Sequence, residues 1–397
     1  MVSLDTQPRL SAASIAGLAL VLRLAVLVVV AEAHSTNWFF DQATELAHLA
    51  ESLLAGRGLS SPFGGSTGPS AFLSPGYPAL IAAVFALFGS RTFASQVAIL
   101  MLQAIMGTAT VLVAMSFTRR ISGIHAANMA GLICALCPPA LFLPTLFWET
   151  SLSTLLATSL VALALLCANR TSAWTWLSLG AVSAVACAVN PSLLPIVVCS
   201  FAWSLAQARH RSLLAPAAAV LLSIALSVPW AARNFQQLHA FIPLRSNLGY
   251  ELWQTNRAGS DGFFRADLHP NVNRAEFERY QALGEVAYMA EKLRVAVCWI
   301  EHNRVAFAKL TAARTFHFWF GLGRQRTWLV IAYLSLTTLF GLTGLLKLSR
   351  QDKSLAIYLL AILMLFPIPY YVTHPDYRFR LVIDPILVVL TAIAWTA

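Results

Sequence analysis

Runs of about twenty apolar residues, parted by short polar clusters, recur along most of this chain. That pattern leaves few folds open. A hydrocarbon layer is crossed by roughly 20 helical residues. Lipid offers no partner to a backbone N–H or C=O, so a crossing segment must be a helix or a strand of a closed barrel. The runs do not alternate strictly between apolar and polar residues, which leaves helices. Composition agrees: 58% of the 397 residues are hydrophobic and 11% are charged, against about 25% charged in a soluble domain, and mean hydropathy is +0.68. The expected fold class is an all-α polytopic membrane protein.

Spans are expected near 13–31, 93–117, 124–142, 151–168, 173–189, 191–207, 213–232, 328–347, 354–372 and 381–397, a bundle of about ten. The run 78–88 is too short to cross alone and reads as a helix lying on the membrane surface or entering it part way. The first run lacks a clear small-residue cleavage site and reads as a retained signal anchor. The last span is barely long enough and has no basic tail, as if the chain were clipped there.

Short basic loops set the expected orientation. Arg119-Arg120, Arg170, Arg209-His210-Arg211 and Lys347/Arg350/Lys353 fall on one side if the spans alternate, and the positive-inside rule makes that side cytoplasmic. The N-terminus is then inside. The first loop (32–92), Glu149, the long loop (234–326) and residues 374–380 face outward, in an integral inner (cell) membrane protein with one domain over 1–397. The net charge of +10 sits in these short clusters, so topology accounts for it and no nucleic-acid partner is expected. In the long loop, 276–293 carries Phe277, Leu283, Val286 and Met289 at helical spacing, and 306–321 is aromatic with Lys309, Arg314 and His317. Both read as helices of an outer cap leaning on the membrane face. No period of 20–50 residues marks a repeat. The six cysteines, Cys134 and Cys137 among them, read as small buried hydrophobes and not as a redox pair.

Three polar constellations share the outer side. Asp41 follows Trp38, Phe39 and Phe40, where partial desolvation would raise a carboxylate toward the range of a general base. Glu45 and His48 follow at i+4 and i+7 and would share one helical face with it, although a solvated helix at headgroup level accounts for Glu45, His48 and Glu51. Glu149 follows Pro138, Pro139 and Pro144 and opens the next span. It is either a favourable charge at a helix start or a second carboxylate in one cavity with Asp41. Arg378 and Arg380, in His374-Pro375-Asp376-Tyr377-Arg378-Phe379-Arg380, run against the positive-inside trend. Guanidinium forks suit a phosphate, and in an extended or irregular segment the two would point the same way. Contact with anionic lipid headgroups is the plainer alternative.

The order of these pieces resembles the GT-C superfamily of polytopic glycosyltransferases, in particular bacterial members related to protein O-mannosyltransferases and to the lipid A aminoarabinose transferase. The resemblance rests on Asp41 and the run to Gly56-Arg57-Gly58, Ser74-Pro75-Gly76-Tyr77-Pro78 and Trp148-Glu149. It continues through 229–235 (PWAARNF), 247–256 (NLGYELWQTN), Gly284-Glu285, Phe318-Trp319 and Tyr377-Arg378-Phe379-Arg380-Leu381. It implies a GT-C-like bundle with outer juxtamembrane helices, a polyprenyl-phosphate-sugar donor and inversion at the sugar carbon. The acceptor would be the hydroxyl or amine of an envelope glycan, lipid or protein. It places Asp41 at the acceptor and Arg378, Arg380 and Tyr377 at the lipid phosphate, with Arg233 and Arg314 as further candidates. The O-mannosyltransferase relatives carry Asp-Glu where this chain has Asp41-Gln42, so a second carboxylate would have to come from Glu149. The WWD-type motif of oligosaccharyltransferases is not found, which argues against transfer of a preassembled glycan to asparagine. No Asp-rich or His-rich metal box is seen, so no cofactor is called for, while a divalent metal stays compatible. The alternative is a transporter or flippase for a lipid-linked or anionic substrate. It fits less well, because the polar residues gather on one face and not at the midplane. A scaffold that only binds partners leaves the Asp41 and Arg378/Arg380 placement without a reason.

Overall fold

A computed structural model describes residues 11–169, 172–208, 213–321 and 327–396. Arg170 and Arg209-His210-Arg211, part of the basis for the expected orientation, lie outside these residues. The regular elements of the described residues are helices joined by loops: α1 (Ala12–Ala33), α2 (Thr36–Asp41), α3 (Thr44–Leu54), α4 (Gly76–Phe88), α5 (Phe93–Leu136), α6 (Pro138–Phe142), α7 (Thr150–Asn169), α8 (Ala173–Val189), α9 (Leu194–Gln207) and α10 (Leu214–Leu238). There follow α11 (Leu248–Thr255), α12 (Arg274–Leu283), α13 (Glu285–His302), α14 (Arg304–Phe320), α15 (Trp328–Gln351), α16 (Lys353–Leu365), α17 (Ile368–Val372), α18 (Tyr377–Leu381) and α19 (Asp384–Thr396).

Local sequence explains the ends. Side-chain caps at Ser11, Ser35, Thr92, Asn273 and Asp352 each accept a first-turn N–H. Among the described residues six helices are long and apolar enough to cross a membrane: Ala12–Ala33, Phe93–Leu136, Thr150–Asn169, Leu214–Leu238, Trp328–Gln351 and Lys353–Val372. The shorter apolar helices Gly76–Phe88, Ala173–Val189, Pro191–Gln207 and Asp384–Thr396 fall below that length. Of the ten expected spans, those at 173–189, 191–207 and 381–397 are met by helices of less than that length. Two expected spans, 93–117 and 124–142, are halves of α5, parted at Gly123 with φ 81° and ψ −174°. The second half stops at Leu136, where Pro138 and Pro139 start a new helix.

Close helix approach depends on small residues, as is usual where lipid gives no hydrophobic drive between helices. Gly344 of α15 meets the backbone of Leu390 on α19, Gly341 lies against the Leu387 side chain, and Gly180 of α8 meets Ala219 of α10. A large aliphatic core joins α1, α5, α7 to α9, α15, α16 and α19. A second cluster packs Phe39, Phe40, Leu46, Tyr77, Ile81 and Phe85 on Phe147 and α5. The run expected at 78–88 is thus α4, with its inner side buried there and Leu87 and Phe88 exposed. A third, aromatic cluster belongs to the cap: Phe63, Phe72, Tyr250, Trp253, Tyr280 and Tyr288.

The expected helix over 276–293 is two helices. Gly284 adopts φ 74°, and the chain turns there between α12 and α13. Gly321 (φ 70°) ends α14, the helix expected at 306–321. The two loops are tied into one body. Glu285 accepts from Ser70 Oγ (2.5 Å) and the Ala71 N–H (2.7 Å), and Arg245 donates to the Phe72 carbonyl (3.1 Å).

Gly344→Leu places a branched side chain against backbone that cannot retreat. It is expected to cost about 1–3 kcal/mol or more, read as a lowered melting temperature of the purified protein in detergent. Gly17→Leu, where a Cβ meets nothing within 4 Å, serves as the control.

Candidate functional site

Where α2 ends, the chain reaches a cavity of about 990 Å³. His34 stacks on Trp38 with centroids 3.9 Å apart, and α2 buries Phe39 and Phe40 against Phe147. This leaves Asp41, the last residue of α2, exposed on the cavity wall. Ala43 has φ −148° and ψ 68° and breaks the helix. Asp41 therefore shares no helix with Glu45 and His48, contrary to expectation, yet all three line the same cavity.

Glu149 is there too, half-buried just ahead of α7. The prolines act as expected. They interrupt the helix after Leu136, and an irregular segment at 146–149 delivers Trp148 and Glu149 to the wall. Among the described residues neither the Asp41 nor the Glu149 carboxylate takes part in a hydrogen bond or salt bridge, although the Glu149 carbonyl accepts from the Ser153 N–H (2.8 Å), so both carboxylates are available to a ligand.

The third constellation differs from expectation. Residues 377–381 form the short helix α18, capped by Asp376, and not an extended segment. Positions two apart on a helix lie roughly 200° apart, so the two arginines diverge. Arg378 lines the cavity with Tyr377. Its guanidinium lies 4.3 Å from the Trp148 ring centroid, with Nε 3.8 Å from the Asp376 carboxylate. Arg380 is fully buried, pairs with Asp384, and donates to Thr337 (2.9 Å) and Thr338 (3.2 Å). It does not line the cavity.

Arg233 and Arg314 also stand off the cavity and hold backbone. Arg233 donates to the carbonyls of Ser70 (2.7 Å) and Leu59 (2.5 Å). Arg314 donates to those of Thr255 (2.6 Å), Val372 (3.1 Å) and Gly262 (3.2 Å), and to Asn256 Oδ1 (3.0 Å).

Several lining residues had no role assigned from sequence. Glu45 is buried, not solvated, and accepts from Asn271 Nδ2 (3.1 Å). Glu251 accepts from Gln254 Nε2 (2.6 Å) and Asn247 Nδ2 (3.0 Å). Burial holds both carboxyls above their ordinary range, while the charges of Arg245 and Arg378 pull the other way. Burial, aided by Arg378 and Arg314, pushes His374 down to about 3, so a neutral imidazole sits 3.6 Å from Glu251. Glu251 could have been singled out as the one acid in the 247–256 motif. Arg245 carries no such mark, and only the fold brings it to this wall. Five carboxylates (Asp41, Glu45, Glu149, Glu251, Asp376) and two guanidinium groups (Arg245, Arg378) face one space. No group of three or more His, Cys, Asp or Glu close enough to hold a metal occurs among the described residues.

His269, set among Phe63, Phe72, Tyr250 and Phe264, is pushed by burial from 6.5 down to about 4. Between those values the unfolded chain binds a proton that the folded protein refuses. Stability is therefore lost as pH falls from about 6.5 to about 4, by on the order of 3 kcal/mol from this group. The raised Glu45 and Glu251 act in the opposite sense. Comparing wild type with His269→Phe isolates the histidine: the variant is expected to show a flatter melting temperature over that window.

No family model matches the sequence, and no curated protein matches it. Solved structures do. The Archaeoglobus fulgidus oligosaccharyltransferase in its apo form has a TM-score of 0.57 at 13% identity, over 96% of this chain and 50% of that one. The same organism's AglB, in complex with an inhibitory peptide and a dolichol-phosphate, gives 0.53 at 13% identity over 96% and 50%. The chain thus spans about half the length of these structures. ArnT from Cupriavidus metallidurans also matches, with a TM-score of 0.38 at 16% identity over 94% of this chain and 76% of that one, a likeness too slight to argue from. Over 96% of its length the chain therefore shares the fold of part of these oligosaccharyltransferase structures.

Proposed function

We propose that this protein transfers a sugar from a polyprenyl-phosphate-linked donor to a hydroxyl or amine of an envelope glycan, lipid or protein, with inversion, on the extracytoplasmic side of the cell membrane. One observation carries the reading: Asp41, Glu149 and Arg378, remote from one another in sequence, line a single cavity at one end of a GT-C bundle. The solved neighbour that holds a dolichol-phosphate supports a lipid-phosphate partner of this kind.

The roles follow from charge and access. Arg378 faces the cavity over Trp148 with its Nε unmatched by a hydrogen-bond acceptor. With Arg245 on the same wall, it suits the phosphate of the donor. Tyr377 lies beside it. Arg380, Arg233 and Arg314 hold the walls instead. Asp41 is the exposed carboxylate, free to meet an acceptor that enters from outside. It takes the proton of the attacking O–H or N–H as the new bond to the sugar carbon forms. The bond from that carbon to the phosphate oxygen breaks, its electron pair stays on the oxygen, and polyprenyl phosphate leaves. The guanidinium groups stabilise the charge that grows there. Glu149, which lines the same cavity, orients the acceptor or the sugar hydroxyls. A sugar phosphodiester is already activated, so no nucleotide or other cofactor enters the scheme. The transporter alternative draws no support from the fold likeness.

Transfer of radiolabelled sugar from a mixed polyprenyl-phosphate-sugar pool to endogenous acceptors tests this in membranes carrying each variant at equal protein level. Asp41→Asn is expected to lower turnover about 10²–10⁴-fold, and Arg378→Gln to raise the donor KM. Transfer unchanged in Asp41→Asn would move the base elsewhere. No transfer by wild type, with donor binding retained, would favour the transporter.

A further inference from the structure

Asp41 and Glu149 come from distant parts of the chain, and the link between them is the side chain next to Asp41. Gln42 is half-buried. Its Nε2 donates to the Thr145 carbonyl (3.5 Å), and its Oε1 accepts from the Phe147 N–H (3.3 Å). From the other side Gln103 of α5, 1% exposed, donates Nε2 to the Leu146 carbonyl (2.8 Å). Leu146 is extended (φ −90°, ψ 134°), so this segment has left the helical ladder, and its buried peptide groups need other partners. Turn bonds pair the Leu146 N–H with the Leu143 carbonyl (3.2 Å) and the Trp148 N–H with the Leu146 carbonyl (2.9 Å), and the two side-chain amides take the Thr145 carbonyl, the Phe147 N–H and a second bond to the Leu146 carbonyl. Trp148, whose ring carries Arg378, and then Glu149 follow directly.

The residue type matters. A side-chain amide can donate and accept at once, whereas a carboxylate can only accept. At position 42 a glutamate would keep the Phe147 N–H but lose Thr145, and it would set a negative charge against that carbonyl. We propose that Gln42 is a positioning residue. Its amide locks the segment that carries Trp148 and Glu149 to the end of α2, so that the second carboxylate of the cavity stands at a set distance from Asp41 and is supplied by Glu149. The proposal rests on the reading that both carboxylates serve transfer. A site built on adjacent acids at 41 and 42 makes the opposite forecast for Gln42→Glu.

Two readouts separate the clamp from the chemistry. In the purified full-length protein, hydrogen exchange at the Phe147 amide is expected to quicken at least about tenfold in Gln42→Ala while α7 keeps its protection. In sugar transfer, Gln42→Glu and Gln42→Ala are both expected to lower kcat about tenfold to hundredfold, with melting temperature close to wild type. Gln103→Leu, which frees the same segment without touching α2, should reproduce both effects. Unchanged exchange in Gln42→Ala overturns the clamp. Transfer raised or unchanged by Gln42→Glu overturns the positioning role. A wild type that transfers no sugar removes the functional reading, and the exchange result still decides whether the clamp exists.

Discussion

Four hydrogen bonds converge on the buried carboxylate of Glu285. Ser70 Oγ (2.5 Å) and the Ala71 N–H (2.7 Å) come from the first loop, Ser246 Oγ (2.7 Å) from the start of the second, and Tyr280 OH (2.7 Å) from α12. An ionised carboxyl without such donors would be too costly to bury, and charge-assisted bonds are the stronger kind. The arrangement therefore holds only if both loops are in place together. Arg233 adds a second tie from the end of α10 to Ser70 and Leu59. Asn271 reaches across to Thr44 and Glu45. The cavity wall is thus assembled from segments of both loops and of α3 that hydrogen-bond to one another.

Inside that wall, polar groups divide by how they are satisfied. Arg233, Arg314 and Arg380 are spent on carbonyls, hydroxyls and Asp384, and Glu285 on its four donors. Glu45 and Glu251 keep amide partners while facing the cavity. Asp41, Glu149 and Arg378 keep the least, and it is to these three that the proposed function gives proton removal and phosphate binding. The same residue types are struts or are left open to the cavity according to what the surrounding backbone leaves unmatched.

Much of this was legible beforehand. The apolar runs announced an all-helical membrane protein, because lipid excludes other open structures. Asp41 and Glu149, expected near each other from the alternation of spans, line one cavity. Other features were not legible, for physical reasons. Helical periodicity could not show that Ala43 breaks the helix after Asp41, nor that Gly284 divides 276–293. Asp376 caps α18, and that single hydrogen bond to the Arg378 N–H (2.9 Å) makes a helix where an extended segment was expected and sends Arg380 into the core. Glu45 looked solvated because nothing in its own helix revealed Asn271 and the cap above it. Arg245 stands in a loop without any local pattern, and only tertiary contacts bring it to the cavity that Arg378 lines.

The central claim is that the lipid phosphate and Asp41 meet in this one cavity. Electron cryomicroscopy of the full chain in lipid nanodiscs with added polyprenyl phosphate tests it most directly. The account predicts phosphate density within hydrogen-bonding reach of Arg378 and Arg245, on the wall that faces Asp41. Phosphate density at Arg119 and Arg120 with an empty cavity, or along the bundle away from Trp148, would contradict it.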